Sequence, residues 1–429
     1  MRYKTTFFYA ITDTRWSAAL FVLALFSVYV ATPVFVHYFF LPNQYFIELS
    51  RLALVACVAI YLGFLLPLFD HRFKKNALRI EIDPQAFHTV VWASFLMFLV
   101  ITFATADDVP ILSAFKGGAT SVELDQQRGE FLKGRTGMEA ALSYLGTFFV
   151  SALLPYSLVM LFIERSRFRY LLLMLFLGFS MSFLVKSLFI YVLFPLFYLA
   201  ARQKRSNLFL QLSIVIGSFG LLYLMAVLVL GELDDAVVQS SGDFFEAGYA
   251  SRGMIDFLIW RSIAVPMFTA SDTLLVFNEQ LNGQPLWGAT SSFLAWIFSL
   301  ERVNLERLVF AQQWGWNDLA NANSVFFTEA FANFGWGGVV LFSLFVGQSL
   351  RWFRKSHDEA FKALWIIYCF ALFSGGLIAT LLSLGYILIF TLSLFFILTN
   401  KSLMRRAKTG ASKREEHDSI RRNTPIEAR

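Results

Sequence analysis

The segment 164–207 reads ERSRFRYLLLMLFLGFSMSFLVKSLFIYVLFPLFYLAARQKRSN, and it decides the architecture. Its apolar part, 170–201, has basic residues on both flanks. Loops rich in Lys and Arg stay in the cytoplasm, so the run must enter the membrane and return. Each arm then has about 16 residues and reaches only ~24 Å, with the turn near Lys186. One long tilted helix, with basic clusters on both faces, is the alternative.

The whole composition is that of a membrane protein. Hydrophobic residues make up 57% of the chain and charged residues 15%, against about 25% charged residues in soluble domains. Apolar runs of about 18 or more residues can cross a hydrocarbon core of roughly 30 Å. We therefore predict an all-α polytopic integral membrane protein with ten transmembrane helices, near 17–39, 51–69, 87–106, 139–163, 170–185, 187–201, 208–230, 325–350, 363–380 and 382–399.

Charge predicts the orientation of these spans. Ten crossings put all the large Lys/Arg clusters on the cytoplasmic side. The clusters are 1–16, 70–86, 164–169, 202–207, 351–362 and the tail from 401, and they hold 26 of the 36 basic residues. The same rule folds 363–399 into a second hairpin that turns near Leu381 to Gly385. Residues 1–400 thus form a single transmembrane domain, and 401–429 is a basic, disordered cytoplasmic tail that rests on anionic lipid.

Two loops, 107–138 and 231–324, face the outside in this topology. The second contains two apolar pieces, FLIWRSIAVPMF (257–268) and SSFLAWIFSL (291–300), that are too short to span. These pieces predict helices that lie at the membrane interface or dip into the protein. Long loops of this kind are usually functional, so we look for the working site here.

Ten basic residues lie outside the cytoplasmic clusters, and each is a candidate for anion binding. Arg128 and Arg135 stand seven residues apart beside glycines, which suits a clamp on phosphate. Local pairing, Asp125 with Arg128 or Glu130 with Lys133, is the alternative. The full set is Arg51, Lys116, Arg128, Lys133, Arg135, Lys186, Arg252, Arg261, Arg302 and Arg307.

Three of these residues are placed more specifically. Lys186 interrupts an apolar run, where an ionisable group is a functional candidate unless it snorkels to the interface. Arg261 follows Trp260 without an acidic residue at helical spacing, which suits bidentate binding of phosphate or contact with lipid headgroups. Arg252 is the weaker candidate because Asp256 lies at i,i+4.

Arg302 and Arg307 alternate with Glu301 and Glu306, a pattern typical of a solvated amphipathic helix. We expect the Arg302→Ala substitution to be silent.

The stretch 312–338, QQWGWNDLANANSVFFTEAFANFGWGG, holds the remaining candidates. Asn321 and Asn323 either bind substrate or cap the following helix. Glu329 lies between Phe327 and Phe331, where a carboxylate has little water nearby and suits the role of a base or an acceptor of a sugar hydroxyl. The two cysteines and five histidines are scattered, so neither a metal site nor a cofactor is predicted.

With these residues in place, the chain resembles the O-antigen polymerases (Wzy-type oligosaccharide repeat-unit polymerases). The likeness rests on the hairpin turn LVKS, where relatives typically carry arginine in place of Lys186, and on the isolated Arg261 in the large loop. It also rests on NSVFFTEAFANFGWGG, which matches the family pattern (H/N)S-x-x-x-x-E-x-x-x-N-F-G-x-x-G. The residues that match are Asn323, Ser324, Glu329, Asn333, Phe334, Gly335 and Gly338.

The resemblance implies a metal-independent glycosyltransferase, similar to the GT-C-type fold, in the bacterial inner membrane with its site facing the periplasm. It would polymerise undecaprenyl-diphosphate-linked oligosaccharide repeat units into a surface polysaccharide. Arg261, Glu329 and Lys186 would be catalytic, and Arg128, Arg135, Arg252, Asn321 and Asn323 would bind substrate. Membrane lipid and a chain-length regulator protein are the further expected partners, and nucleic acid is not one. An O-antigen ligase and a lipid-linked oligosaccharide flippase are the alternatives.

Overall fold

The computed structural model describes most of the chain. The ranges are 11–68, 80–106, 108–116, 139–182, 186–202, 242–251, 253–318 and 320–398, with isolated residues between 127 and 135 and between 213 and 220. The predicted span 208–230 and the tail 401–429 lie essentially outside these described residues.

Helices make up nearly all of the regular structure. They are α1 (Ser17–Phe39), α2 (Gln44–Leu65), α3 (Pro84–Ala104), α4 (Pro110–Lys116), α5 (Ala141–Ile163), α6 (Arg169–Ser182), α7 (Lys186–Arg202), α8 (Met254–Leu275, continued by a π-helical turn Val276–Gln280), α9 (Ser292–Phe298), α10 (Leu305–Trp314), α11 (Phe326–Lys355), α12 (Glu359–Ala363), α13 (Trp365–Phe373), α14 (Leu377–Leu382) and α15 (Tyr386–Phe395). Two three-residue strands, β1 (Ile80–Ile82) and β2 (Phe396–Leu398), pair in parallel. Among the described residues, α1, α2, α3, α5 and α11 are long and apolar enough to cross a membrane.

The run 170–201 forms two helices that pack on each other, α6 and α7, rather than one. The start of α6 lies at the end of α5, where the rings of Phe162 and Tyr170 have centroids 5.6 Å apart. The end of α7 returns to the same end of the bundle, where Tyr198 donates a 2.9 Å hydrogen bond to Glu359. The basic flank 164–169 and the end of α7 at Arg202 therefore lie at one end of the bundle, as the hairpin requires.

Polar contacts join the other predicted cytoplasmic segments at this end. Asp13 lies 3.5 Å from the Arg202 guanidinium, and Tyr156 donates a 2.6 Å hydrogen bond to Asp358. The β1–β2 pair joins the segment 70–86 to the end of α15. The parts of the clusters 1–16, 202–207 and 351–362 that the structure describes thus contact one another at this end, as the positive-inside assignment expects.

The pair α2 and α11 forms the centre of the bundle. Gly63 and Gly347 face each other so closely that a Cβ at either would overlap the backbone of the other helix. Gln348 donates to the Gly63 carbonyl and, at 2.6 Å, to the Leu66 carbonyl. Arg351 donates to the Phe64 carbonyl at 3.0 Å and thereby satisfies the C-terminal end of α2. Small residues and interhelical hydrogen bonds are the usual basis of helix association in membranes.

Three sequence expectations differ from the structure. The predicted span 363–380 is broken into α13 and α14, and at 1.5 Å per residue the nine residues of α13 reach only ~14 Å. The predicted span 382–399 ends as a helix at Phe395, and 396–398 form a strand. The piece 257–268 belongs to the 22-residue helix α8, which is longer than its apolar core suggested because polar residues extend the helix to Leu275.

Candidate functional site

A cavity of about 340 Å³ lies where α11 begins. Its walls come from the 290–293 segment, the segment 302–306 at the start of α10, the beginning of α11 and the break between α13 and α14. Two exposed aromatic side chains, Tyr144 and Phe293, border it and are 59% and 49% accessible. The polar lining residues are Tyr144, Thr273, Thr290, Ser291, Ser292, Arg302, Asn304, Glu306, Ser324, Glu329 and Ser383.

Glu329 is the most enclosed acidic group of this cavity. Its Oε1 accepts a 2.9 Å hydrogen bond from the Thr290 hydroxyl. Its Oε2 is buried and has no hydrogen-bond partner among the described residues. The oxygen lies against Gly376, where a Cβ would overlap it. A buried carboxylate oxygen without a donor is costly, so Glu329 is a candidate functional residue.

A kink in α11 positions Glu329. At Gly335 the helix is interrupted, with φ of 61°, a backbone conformation that glycine adopts without strain. The interruption leaves the carbonyls of Ala332 and Asn333 free within the helix. They accept hydrogen bonds of 3.0 and 2.9 Å from the Leu286 and Trp287 N–H groups, so the 286–290 segment docks on the kink and brings Thr290 to Glu329.

Two further residues of the motif NSVFFTEAFANFGWGG, Asn333 and Gly338, stabilise the same kink. Asn333 donates to Thr290 Oγ1 at 2.8 Å and accepts from the Gly288 N–H at 2.9 Å. Gly338 packs on the Ala330 carbonyl, from which a Cβ would be only 2.5 Å away. The motif thus forms the kinked first part of α11, and its residues hold the Glu329 carboxylate in place.

The break between α13 and α14 forms the opposite wall. It occurs at Gly375 and Gly376, and the free carbonyl of Phe373 accepts a 2.6 Å hydrogen bond from Tyr29. Irregular backbone at membrane depth is tolerated where its polar groups are satisfied or line a cavity. The prediction of one continuous helix over 363–380 is wrong, because the helix is interrupted at these glycines beside the Glu329 carboxylate.

Arg302 and Glu306 line the cavity, although the sequence favoured a solvated helix for them. The helix α10 begins only at Leu305, with Asn304 as its cap accepting from the Arg307 N–H at 3.2 Å. Arg302 therefore precedes the helix and lies on the cavity wall. Arg307 turns away to the Asp318 carbonyl at 2.5 Å. Alternating charges alone could not separate these two arginines.

Arg261 lies on α8 outside the cavity lining, and its side chain is exposed. Twelve residues separate it from Thr273, which does line the cavity, and this corresponds to roughly 18 Å along a helix. Its neighbour Trp260 is buried against the rings of Tyr249 and Phe268. The structure does not bring Arg261 and Glu329 together.

Arg135 closes the end of α3. It donates to the Thr102 carbonyl at 3.0 Å and to the Thr105 hydroxyl, and it pairs with Glu139 at 3.2 Å. Its side chain is only 5% exposed. These contacts satisfy the C-terminal carbonyl of a helix, so local pairing of Arg135 is favoured over the phosphate clamp. Arg128 lies outside the described residues.

The other predicted residues are scattered. Lys186 begins α7, at the turn between the two hairpin helices. Arg252 lies outside the described residues, and Asp256 accepts a 2.6 Å hydrogen bond from Tyr249. Asn321 and Asn323 are exposed, and neither caps α11, which begins after Val325 without a side-chain cap.

Asp272 is an acidic residue that the sequence did not single out. Burial raises the pKa of Asp272 to about 6, while the hydrogen bond that it accepts from Gln313 at 2.6 Å opposes this rise. It precedes Thr273 on α8, and Thr273 lines the cavity. Its only signal in the sequence was a carboxylate that stands eleven residues after Arg261, the preceding charged residue of the helix.

Within the described part of the chain, no three His, Cys, Asp or Glu side chains lie close enough together to hold a metal ion. Comparisons with protein-family models, with curated proteins and with solved structures find no match to the chain. The site is therefore interpreted from its own chemistry.

Proposed function

We propose that this protein is a glycosyltransferase that polymerises undecaprenyl-diphosphate-linked repeat units at the outer face of the bacterial inner membrane. The observation that carries the proposal is the Glu329 carboxylate, which lines a cavity of about 340 Å³. One of its oxygens is fixed by Thr290, and the other is buried without a donor among the described residues. Ligand pockets usually measure about 300–1,000 Å³, so the cavity has room for a sugar ring.

The reaction assigns a role to each part of this cavity. Glu329 accepts the proton of an acceptor-sugar hydroxyl as that oxygen bonds to the anomeric carbon of the donor. The bond from the anomeric carbon to phosphate breaks, and undecaprenyl diphosphate leaves with the electron pair. Arg302, on the same cavity wall, stabilises the negative charge of the diphosphate. Glu306 is the second carboxylate of the lining and can hold a sugar hydroxyl.

The surroundings of the cavity suit a lipid-linked sugar. The hydroxyl side chains of Ser291 and Ser292 line one wall and can exchange hydrogen bonds with a glycan. Tyr144 and Phe293 are exposed at the rim, where an apolar lipid tail can pack. This combination of a polar interior and an apolar rim favours a lipid-linked oligosaccharide over a free sugar.

Lipopolysaccharide from a deletion strain complemented with variants tests the proposal. Glu329→Gln keeps the shape of the side chain but removes the base, so we expect the ladder of repeat units to disappear, consistent with a loss of about 10²- to 10⁴-fold. Glu301→Gln makes the same chemical change at an exposed carboxylate outside the cavity lining and should give a normal ladder. Both proteins must reach the wild-type level in the membrane.

The pattern of loss separates two transferases. One repeat unit left on the lipid core indicates a polymerase, whereas complete absence of O-antigen indicates a ligase. A normal ladder from Glu329→Gln at wild-type protein level would overturn the assignment of the site.

A further inference from the structure

Thr290 connects Glu329 to the kink of α11 through one hydroxyl. Its Oγ1 lies 2.9 Å from Glu329 Oε1 and 2.8 Å from Asn333 Nδ2. The same asparagine accepts from the Gly288 N–H through Oδ1 at 2.9 Å and donates from Nδ2 to the Glu329 carbonyl at 2.9 Å. A continuous chain of hydrogen bonds therefore runs from the Gly288 backbone to the carboxylate.

The donors of this chain fix its direction. The Gly288 N–H can only donate, so the atom of Asn333 that faces it must be the amide oxygen. The amide nitrogen then faces Thr290 and donates to it. The Thr290 hydroxyl has a single hydrogen, and since its oxygen already accepts from Asn333, that hydrogen points to Glu329 Oε1.

This direction distinguishes the two oxygens of Glu329. Oε1 accepts a hydrogen bond that holds the carboxylate in one orientation, and Oε2 has no donor among the described residues. A partial rotation of the carboxylate would lose the Thr290 bond, whereas a half-turn exchanges two equivalent oxygens and restores it. The Thr290 bond thereby holds the carboxylate in one orientation beside the cavity.

We propose that Thr290 is a positioning residue that holds the Glu329 carboxylate in the orientation in which it takes the acceptor proton, an inference that rests on the proposed function. The hydroxyl touches no substrate in this role and acts through the carboxylate. A hydrogen bond to a charged group contributes enough stability to change turnover by about 10- to 100-fold. Substrate binding depends on other walls of the cavity, so KM should stay nearly constant.

Three variants test this inference in purified protein reconstituted in liposomes with a lipid-linked repeat unit. Thr290→Val keeps the shape and removes the hydroxyl, so kcat should fall about 10- to 100-fold with little change of KM. Thr290→Ser keeps the hydroxyl and should restore most of kcat. Asn333→Asp still accepts from Gly288 but cannot donate to Thr290, so it should lower kcat as Thr290→Val does.

The outcomes separate this inference from the proposed function. Wild-type kcat for Thr290→Val, together with an inactive Glu329→Gln protein, would overturn the role of Thr290 alone. Wild-type activity for Glu329→Gln, or no transfer by the wild-type protein, would overturn the proposed function and this inference with it. If Thr290→Ser is as slow as Thr290→Val although both elute as folded protein in size exclusion, the hydroxyl is not the cause and the inference is wrong.

Discussion

Replacing Gly376 by alanine is expected to displace the Glu329 carboxylate without unfolding the protein. A Cβ at this position would overlap Oε2 and lie 2.5 Å from Cδ of Glu329. Carbon atoms in contact are normally about 3.5–4.0 Å apart, so the carboxylate must retreat by about 1 Å. It is the free end of a flexible side chain, and the backbone near Gly376 need not move.

The displacement of the carboxylate is expected to lower the turnover rate. A misplacement of about 1 Å in a catalytic group can lower turnover by about 10²-fold. The move also breaks or stretches the 2.9 Å hydrogen bond from Thr290 to Oε1, because both oxygens shift together. We therefore expect Gly376→Ala to reduce polymerisation at least as strongly as Thr290→Val.

Ladder length in cells and transfer by purified protein in liposomes measure this effect. Gly337→Ala is the matched control, because a Cβ at Gly337 meets no atom within 4 Å and the residue belongs to the same helix as Glu329. The control should have normal ladders and normal kinetics. Equal kcat for Gly376→Ala, Gly337→Ala and wild type, at equal protein levels, would refute the claim that the position of this carboxylate controls turnover.

Three further predictions concern topology, metal and the arginines. Reporter fusions after Lys186 should be active in the periplasm and those after Arg205 should not, because basic flanks hold 170–201 as a hairpin; cytoplasmic activity at both points would contradict it. Transfer should persist in EDTA, since guanidinium groups are expected to stabilise the diphosphate, and loss with rescue by magnesium or manganese would argue against this mechanism. Because Arg302 lines the cavity, Arg302→Ala should lower transfer about 10²- to 10³-fold, whereas the sequence alone predicted a silent substitution. Arg261→Lys should lower it less, because Arg261 lies outside the cavity lining, and the opposite order in the same assay would assign the diphosphate to Arg261.

Hydrophobicity and charge determined much of the fold. The apolar runs predicted α1, α3 and α5 to within three residues, because the cost of placing each residue in hydrocarbon is a local property. The helix α2 begins seven residues before its predicted start, and α11 ends five residues after its predicted end. The basic flanks predicted the fold-back between α6 and α7 for the same reason. Glu329 was also recognisable, since a carboxylate among phenylalanines stands out in one dimension.

The sequence did not predict the contacts between segments that are distant along the chain. Thr290 and Glu329 are 39 residues apart, and only the kink at Gly335 brings the 286–290 segment to the carboxylate. Arg302 is exposed, as its charged neighbours predicted, but it precedes α10 and also lies on the cavity wall, which the sequence did not predict.

The break at Gly376 shows the same limit most clearly. The apolar residues around Gly376 predicted one continuous span. Hydropathy does not indicate whether a helix is interrupted within such a span. The opening depends on Tyr29, which satisfies the Phe373 carbonyl, and on Glu329, which occupies the space where a side chain would be. The sequence thus determined which segments are apolar enough to cross a membrane, because transfer energy is a sum over neighbouring residues. The site was decided by tertiary packing, because its geometry depends on where separate helices place single side chains.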